Sequence, residues 1–491
     1  MNPPRTDGYY DDPPRQRGRF TRNQGGRRAS PARQVAYSTL RAVDESDAYA
    51  NLVLPHKIAQ AGLTPEDAAF ATELTYGTLR LAGRYDAIIS IAAKRPTDRI
   101  DPPVLDALRL ACHQLLAMRT PGHAAVDESV ELVREHANPA ATGFANGVLR
   151  QISLHDAANW DALLTEHLTG DDLVAARTGH PAWIVRSFRD ALRAEDREGE
   201  LDALLAAGNH PPAVDLAALP GLADAADLAS ANPGLLERGA YARTAMRLRG
   251  GDPMMLPQAQ RGLVRVQDQG SQLVALALAD AQPVREGERW LDLCAGPGGK
   301  TAILAAVAAQ EGVHLAANEP AAHRARLVRR ALEAVERETG RAVPVSEFDG
   351  RDVVRDLGTG WDRILVDAPC SGLGALRRRP EARWRKTPAD IPELAKLQEQ
   401  LLDAAVNALK PGGVVAYVTC SPHLAETKAI TKRIERRGDV EALDAAVVIR
   451  RLSREPIDLA ERPLGSGAAA QLWPHRHGTD AMFLALLRRM A

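Results

Sequence analysis

The chain has few cysteines, no long apolar run and almost no net charge, and each lack removes a class of protein. Its 491 residues include four cysteines. Cys112 lies far from Cys294, Cys370 and Cys420, and no pair is spaced as a disulfide framework or a CxxC metal site. In a reducing compartment these are thiols, free to act as nucleophiles. No stretch approaches the roughly 20 apolar residues that a membrane span requires. The amino terminus also lacks an apolar signal segment, so the expectation is a cytoplasmic monomer with no membrane partner. The formal charge of −1 means that any nucleic-acid affinity must come from local basic patches. His423, His475 and His477 have no metal-site spacing, so no metal is predicted.

What is present divides into segments, and a length of 491 residues suggests two to four domains. Residues 1–32 carry Arg5, Arg15, Arg17, Arg19, Arg22, Arg27 and Arg28 with almost no aliphatic residue. Such a tail cannot bury enough apolar surface to fold; it reads as an RNA tether or as a plain solvated segment. Over 33–155 apolar stripes recur at helical spacing, as in Val35, Ala36, Thr39, Leu40 and Val43, which predicts a helical bundle. Cys112 shares a stripe with Leu105, Leu108 and Leu115 and reads as a packed core thiol. Residues 156–258 read as a connecting subdomain with a helix near 183–192. Over 259–491 strands predicted at 290–294, 313–318, 343–348, 364–366, 414–418 and 482–487 alternate with helices. That alternation means an α/β domain with a mostly parallel sheet.

Five strand ends in that last segment carry the chemistry. The turn Cys294-Ala295-Gly296-Pro297-Gly298-Gly299-Lys300-Thr301 joins a strand to a helix, where glycines let backbone N–H groups approach a ligand. It has neither the spacing of a Walker loop nor the full dinucleotide fingerprint. Glu319 ends the next strand, where such folds hold ribose hydroxyls with a carboxylate. Asp349 ends a third strand, placed to touch an adenine edge, and Asp367 ends a fourth. A ligand with adenine and ribose but no pyrophosphate clamp points to S-adenosylmethionine. Cys370 follows in the loop after that fourth strand, in Asp367-Ala368-Pro369-Cys370-Ser371-Gly372, and Cys420, in Thr419-Cys420-Ser421-Pro422, ends a fifth. The C5 carbon of a pyrimidine is too weak a nucleophile to take a methyl from a sulfonium. Addition of a thiolate to C6 pushes electron density onto C5, which can then attack. Such a reaction needs a nucleophilic cysteine, an acid at the ring and a base, and Asp367, Cys370 and Cys420 could supply them.

These motifs resemble the RNA 5-methylcytosine methyltransferases of the NOL1/NOP2/Sun family. The stretch Ala69-Phe70-Ala71-Thr72-Glu73-Leu74-Thr75-Tyr76-Gly77-Thr78-Leu79-Arg80 resembles the NusB-like RNA-binding domain of the bacterial RsmB branch. Trp473-Pro474-His475-Arg476-His477-Gly478-Thr479-Asp480 is similar to the carboxyl-terminal motif of that branch. The resemblance implies a Rossmann-like class I methyltransferase domain behind an all-α NusB-like domain, with RNA, 16S rRNA in this branch, as substrate. It implies that Cys294, Ala295, Gly296, Pro297, Gly298, Gly299 and Lys300 cradle the methionine end of the donor. Glu319 would hold the ribose, helped by Arg324, Asp349 the adenine, and Asp367 would border donor and base. In this family the Thr-Cys-Ser cysteine, here Cys420, is the nucleophile, and the Pro-Cys cysteine, here Cys370, assists release. Glu319 stands where Asp is usual, and Ala217-Ala218-Leu219-Pro220 replaces a common Arg-Val-Asn segment.

A basic segment follows Cys370: Arg377, Arg378, Arg379, Arg383, Arg385 and Lys386 around Trp384. It reads as an RNA-binding loop with one stacking aromatic, or as a solvated loop with Trp384 packed beneath. Two other functions remain open. A DNA cytosine methyltransferase would use the Pro-Cys cysteine as nucleophile, and a non-catalytic RNA-binding ribosome-assembly protein would need neither thiol.

Overall fold

The structure, a computed structural model, describes residues 28–46, 48–460, 463–464 and 467–490. The arginine-rich tail, through residue 27, lies outside them. Helices begin and end where capping chemistry allows. In Pro65–Arg80, Thr64 Oγ1 accepts the Asp67 N–H, Pro65 occupies the first turn, and Glu66 and Asp67 face the positive end of the helix dipole. Pro31–Ser46, Ala82–Ala93, Pro102–Leu116, Gly122–His136 and Thr142–Ile152 pack with it around Tyr37, Leu74, Ile88, Leu108, Cys112 and Leu149. Cys112 is fully buried, as its stripe predicts. At Gly77 two of these helices meet so closely that a Cβ would stand 2.1 Å from His113 Nε2. Trp160 and Leu164 of Ala157–His167 join the same core, which carries the bundle one helix past residue 155.

The stretch after that helix has two parts. Gly170–Thr178, Ala182–Arg193 and Leu201–Asn209 bury Ile184, Val185, Leu192 and Leu204 against Leu373, Leu376 and Trp473, which belong to the last segment of the chain. Then Val214–Ala218 pairs antiparallel with Ala245–Leu248 and Val264–Val266, and Leu236–Arg238 flanks them in a four-stranded sheet over Leu216 and Met246. Ala217 and Ala218 therefore lie within a paired strand.

The largest sheet has eight strands. Its main path runs Val440–Leu443, Phe483–Arg489, Leu409–Thr419, Trp361–Asp367, Arg289–Asp292, His314–Asn318, Val345–Ser346. The last five are parallel, while Phe483–Arg489 is antiparallel to both its neighbours, Leu409–Thr419 and Val440–Leu443. Side chains alternate between faces. Leu365, Val414, Ala416 and Val418 pack beneath Gln269–Asp280, Gly299–Gln310 and Ala445–Leu452. Ile364, Val366, Val415 and Tyr417 face Ile391–Ala408 and Lys428–Glu435. Both faces being covered explains why these strands read as near-continuous apolar runs. The strand expected over 343–348 is paired only at Val345–Ser346.

The basic segment after Cys370 fastens these layers together. Arg383, fully buried, donates to Arg80 O at 2.5 Å, Gly208 O at 2.7 Å, Asn209 Oδ1 at 2.8 Å and Gly179 O at 3.3 Å. Burial, and then the nearby Arg80, lowers its pKa to about 9. Arg385 donates to Val43 O and Ala48 O, while Arg377 and Arg378 pair with Asp268 and Asp480. Arg379 and Arg385 lie against the Tyr49 ring. Of the six cations in the expected RNA-binding loop, Arg377, Arg378, Arg383 and Arg385 are engaged by carbonyls and carboxylates from distant parts of the chain. Trp384 remains 47% exposed, with its ring edge against Gly83. Arg383→Ala would leave these four acceptors without their donor, and unsatisfied buried groups cost about 1–3 kcal/mol each. Chemical denaturation is expected to show a loss of roughly 3 kcal/mol or more, against less than about 0.5 kcal/mol for Ala at the exposed Arg326.

Candidate active site

The carboxyl ends of the parallel strands bring the predicted residues together. Ala295 N donates to Asn318 O at 2.9 Å, which ties the glycine turn to the neighbouring strand. Glu319, 2% exposed, accepts Gly296 N at 3.1 Å on one oxygen and Ala321 N at 3.1 Å on the other. Arg324 pairs with Glu319 at 3.4 Å and donates to Gly296 O at 2.8 Å. Gly298 has φ 98°, and a Cβ there would come within 2.6 Å of Ala331 Cβ and 3.0 Å of Val328 Cα. Glycine is thus required by conformation and by helix packing. The peptide bond Gly296-Pro297 is cis. Below the turn, Asp292 accepts the Thr301 hydroxyl at 2.7 Å, and burial pushes its carboxyl up to about 7. Burial and the carboxylates of Asp292, Asp367 and Glu319 push the Cys294 thiol up, so Cys294 remains a neutral lining residue.

The two thiol loops meet because their strands are adjacent. Asp367 is the register partner of Val418, and Ala368 N donates to Val418 O at 2.9 Å. Gly374 N donates to Cys420 O at 2.9 Å. Cys370 Sγ and Cys420 Sγ are 3.4 Å apart, both as free thiols. The hydrogen bond to Cys420, then burial and the negative charges of Cys420 and Glu426, hold the Cys370 pKa well above the ordinary thiol value. Asp367 Oδ2 receives the Lys300 ammonium at 2.7 Å. Burial opposes the charge on Lys300, but Asp367 and, after it, Cys420 raise its pKa overall.

Asp349 stands at the sheet edge with its carboxylate on Arg351, which lowers its pKa. An adenine edge would share that carboxylate with the guanidinium. Two polar residues escaped sequence reading. Gln267 lies beside Gly299, 3.4 Å from where a Cβ would be, and its buried Oε1 has no partner among the described residues. Glu426, a few residues beyond Thr419-Cys420-Ser421-Pro422, is fully buried between the thiol loops. No cluster of metal-ligating residues occurs among the described residues. His475 meets Glu200, and His477 meets Trp473 N and Asp458 O. A cleft of about 490 Å³ lined by Arg289, His314, Arg341 and Trp361 opens at the opposite ends of the strands, away from these groups.

An open α/β sheet with a glycine turn, a buried carboxylate on the turn and thiols at neighbouring strand ends defines a methyltransferase of the Rossmann-like class. Comparison with known proteins agrees. Residues 279–488 match the family described as 16S rRNA methyltransferase RsmB/F, and residues 30–154 match the NusB family. A Mycobacterium tuberculosis protein described as a methyltransferase is 50% identical over 473 residues, covering 96% of this chain and 99% of its own. The ribosomal RNA small subunit methyltransferase B of Erwinia tasmaniensis is 32% identical over 468 residues, covering 93% and 98%. The crystal structure of PH0851 superposes with TM-score 0.75 at 19% identity, covering 94% of this chain and 99% of that one, a likeness of fold. The chain belongs to the RsmB/F family of 16S rRNA methyltransferases. It is an RNA methyltransferase that uses a donor of the S-adenosylmethionine type, with a NusB domain ahead of the catalytic sheet. No helix among the described residues is long and apolar enough to cross a membrane.

Proposed function

We propose that the protein methylates C5 of a cytosine in 16S rRNA through a covalent bond between Cys420 and C6. The observation that carries this reading is the 3.4 Å contact between two free thiols beside the Lys300–Asp367 pair. The residues of the turn fit S-adenosylmethionine: Glu319 offers acceptors for ribose hydroxyls, Gln267 Oε1 lacks a partner, and Gly296 leaves the turn open. When bound, the donor supplies an electrophilic methyl on a sulfonium. Cys294 to Lys300 would line its methionine end, Glu319 and Arg324 the ribose end, and Asp349 the adenine.

Asp367 would meet the cytosine at N3 and the exocyclic amine. Cys420 adds through its sulfur to C6, so that the electron pair of the C5–C6 bond becomes available at C5 for the methyl. Loss of the C5 proton to a base then returns electrons to C6, breaks the C–S bond and restores Cys420. Cys370, in contact with the departing sulfur, assists this last step. Labelled S-adenosylmethionine incubated with separate 16S rRNA, tRNA and DNA pools is expected to label 16S rRNA, with the label in 5-methylcytidine after digestion. Label in DNA, or in another nucleoside, would remove the proposal; no label in any pool would favour a scaffold.

A further inference from the structure

Each catalytic-loop cysteine is followed by a serine, and both serines meet one buried carboxylate. Glu426 Oε2 accepts Ser371 Oγ at 2.5 Å and Ser421 Oγ at 2.6 Å. The two hydroxyls are themselves 3.0 Å apart. Glu426 Oε1 accepts Ser371 N at 2.7 Å and Gln398 Nε2 at 3.1 Å, and Gln398 also donates to Pro369 O at 2.9 Å. Tyr417 OH, from the strand that leads to Cys420, donates to Glu426 O at 2.7 Å. The carboxylate thus joins the segment 369–371 to the segment 417–421, about fifty residues apart in sequence.

We propose that Glu426 is a positioning residue that pins the two Cys-Ser pairs side by side and so sets the contact between Cys370 and Cys420. This rests on the two-cysteine reading above. The hydrogen-bond donors to the carboxylate named here are all neutral, although Glu426 is 0% exposed. A buried charge facing neutral donors is costly compared with an apolar side chain of the same volume. A packing role does not require that charge. A bridge between two loops requires polar atoms at both terminal positions, and a carboxylate accepts on both oxygens at once. The same negative charge contributes to keeping Cys370 protonated. Catalytic groups misplaced by about 1 Å lose on the order of a hundredfold in rate, so a shared anchor for the two sulfurs bears directly on the step that needs both.

The test reads the thiol contact without RNA. Protein is equilibrated with glutathione redox buffers, in which two protein thiols and glutathione disulfide exchange for a Cys370–Cys420 disulfide and two glutathione thiols. Alkylation and mass measurement give the effective concentration of the pair. Ser371→Ala/Ser421→Ala is expected to lower it about tenfold or more, and Glu426→Ala at least as far. Glu426→Gln is expected to stay near wild type, since the serine hydroxyls can turn to accept from the amide. Donor affinity, set by the glycine turn, should not change in any variant that folds. A wild-type effective concentration in the serine pair variant would overturn the proposal, whatever Glu426→Ala does to folding. A lost thiol contact with covalent RNA adduct still decaying at the wild-type rate would leave the clamp standing and remove the assigned role of Cys370.

Discussion

Cys420→Ala is expected to lower methyl transfer by about 10⁴-fold or more, the scale on which loss of a covalent nucleophile acts. Without a sulfur to add at C6, C5 has no means of reaching the methyl, and the other groups have nothing to act on. Cys370→Ala should fail differently. Its Cys420 can still add and the methyl can still move, so one methyl per protein molecule should be transferred before turnover stalls. Rapid-quench measurement of product separates the two: a burst for Cys370→Ala, none for Cys420→Ala. The two sulfurs lie 3.4 Å apart, so the asymmetry rests on the Thr-Cys-Ser context of Cys420 and the Pro-Cys context of Cys370. A burst in Cys420→Ala and none in Cys370→Ala would transfer the nucleophile to the Pro-Cys loop, the arrangement of a DNA-type enzyme.

Gly296→Ala should abolish most donor affinity while leaving the fold intact. A Cβ at 296 would stand 2.3 Å from Glu319 Oε2 and 2.7 Å from Arg324 Nε, so both side chains must move off the turn. Glu319 then loses the Gly296 N–H and its alignment with the ribose site. Hydrogen bonds to a charged group are worth about 1.5–3 kcal/mol, which corresponds to a roughly ten- to hundredfold weaker Kd for S-adenosylmethionine. Calorimetric titration checks this, with Gly143→Ala as a control at a site where a Cβ meets nothing within 4 Å. Affinity within about twofold of wild type in Gly296→Ala would remove Glu319 and Arg324 from the pocket.

The catalytic sheet was legible because its signals are local. Strands buried on both faces read as short apolar runs, and Cys294, Glu319, Asp367, Cys370 and Cys420 each follow such a run directly. The four-stranded sheet between 214 and 266 was not legible, because its strands span three to five residues among Ala, Asp and Gly with little alternation. The antiparallel pairing of Phe483–Arg489 was hidden for a different reason: an apolar strand pattern carries no direction. The basic segment after Cys370 shows what composition leaves out. Of its six cations in ten residues, Arg377 and Arg378 meet Asp268 and Asp480, and Arg383 meets the carbonyls of Arg80, Gly179 and Gly208, partners that only the fold brings near. Glu426 is the reverse case, a residue in plain view whose partners, Ser371 and Gln398, become visible only once two loops and a helix converge.

The central claim is a bond between one named sulfur and one ring carbon, and it can be trapped. Cys370→Ala protein incubated with S-adenosylmethionine and 16S rRNA, denatured and resolved by electrophoresis, should run as a protein–RNA species that survives denaturant. Nuclease and protease digestion followed by mass spectrometry should then yield a peptide containing Cys420 that carries a methylated cytidine. A denaturant-stable species linked through Cys370 in wild-type or Cys420→Ala protein, or methyl transfer by Cys420→Ala at a wild-type rate, would contradict the account.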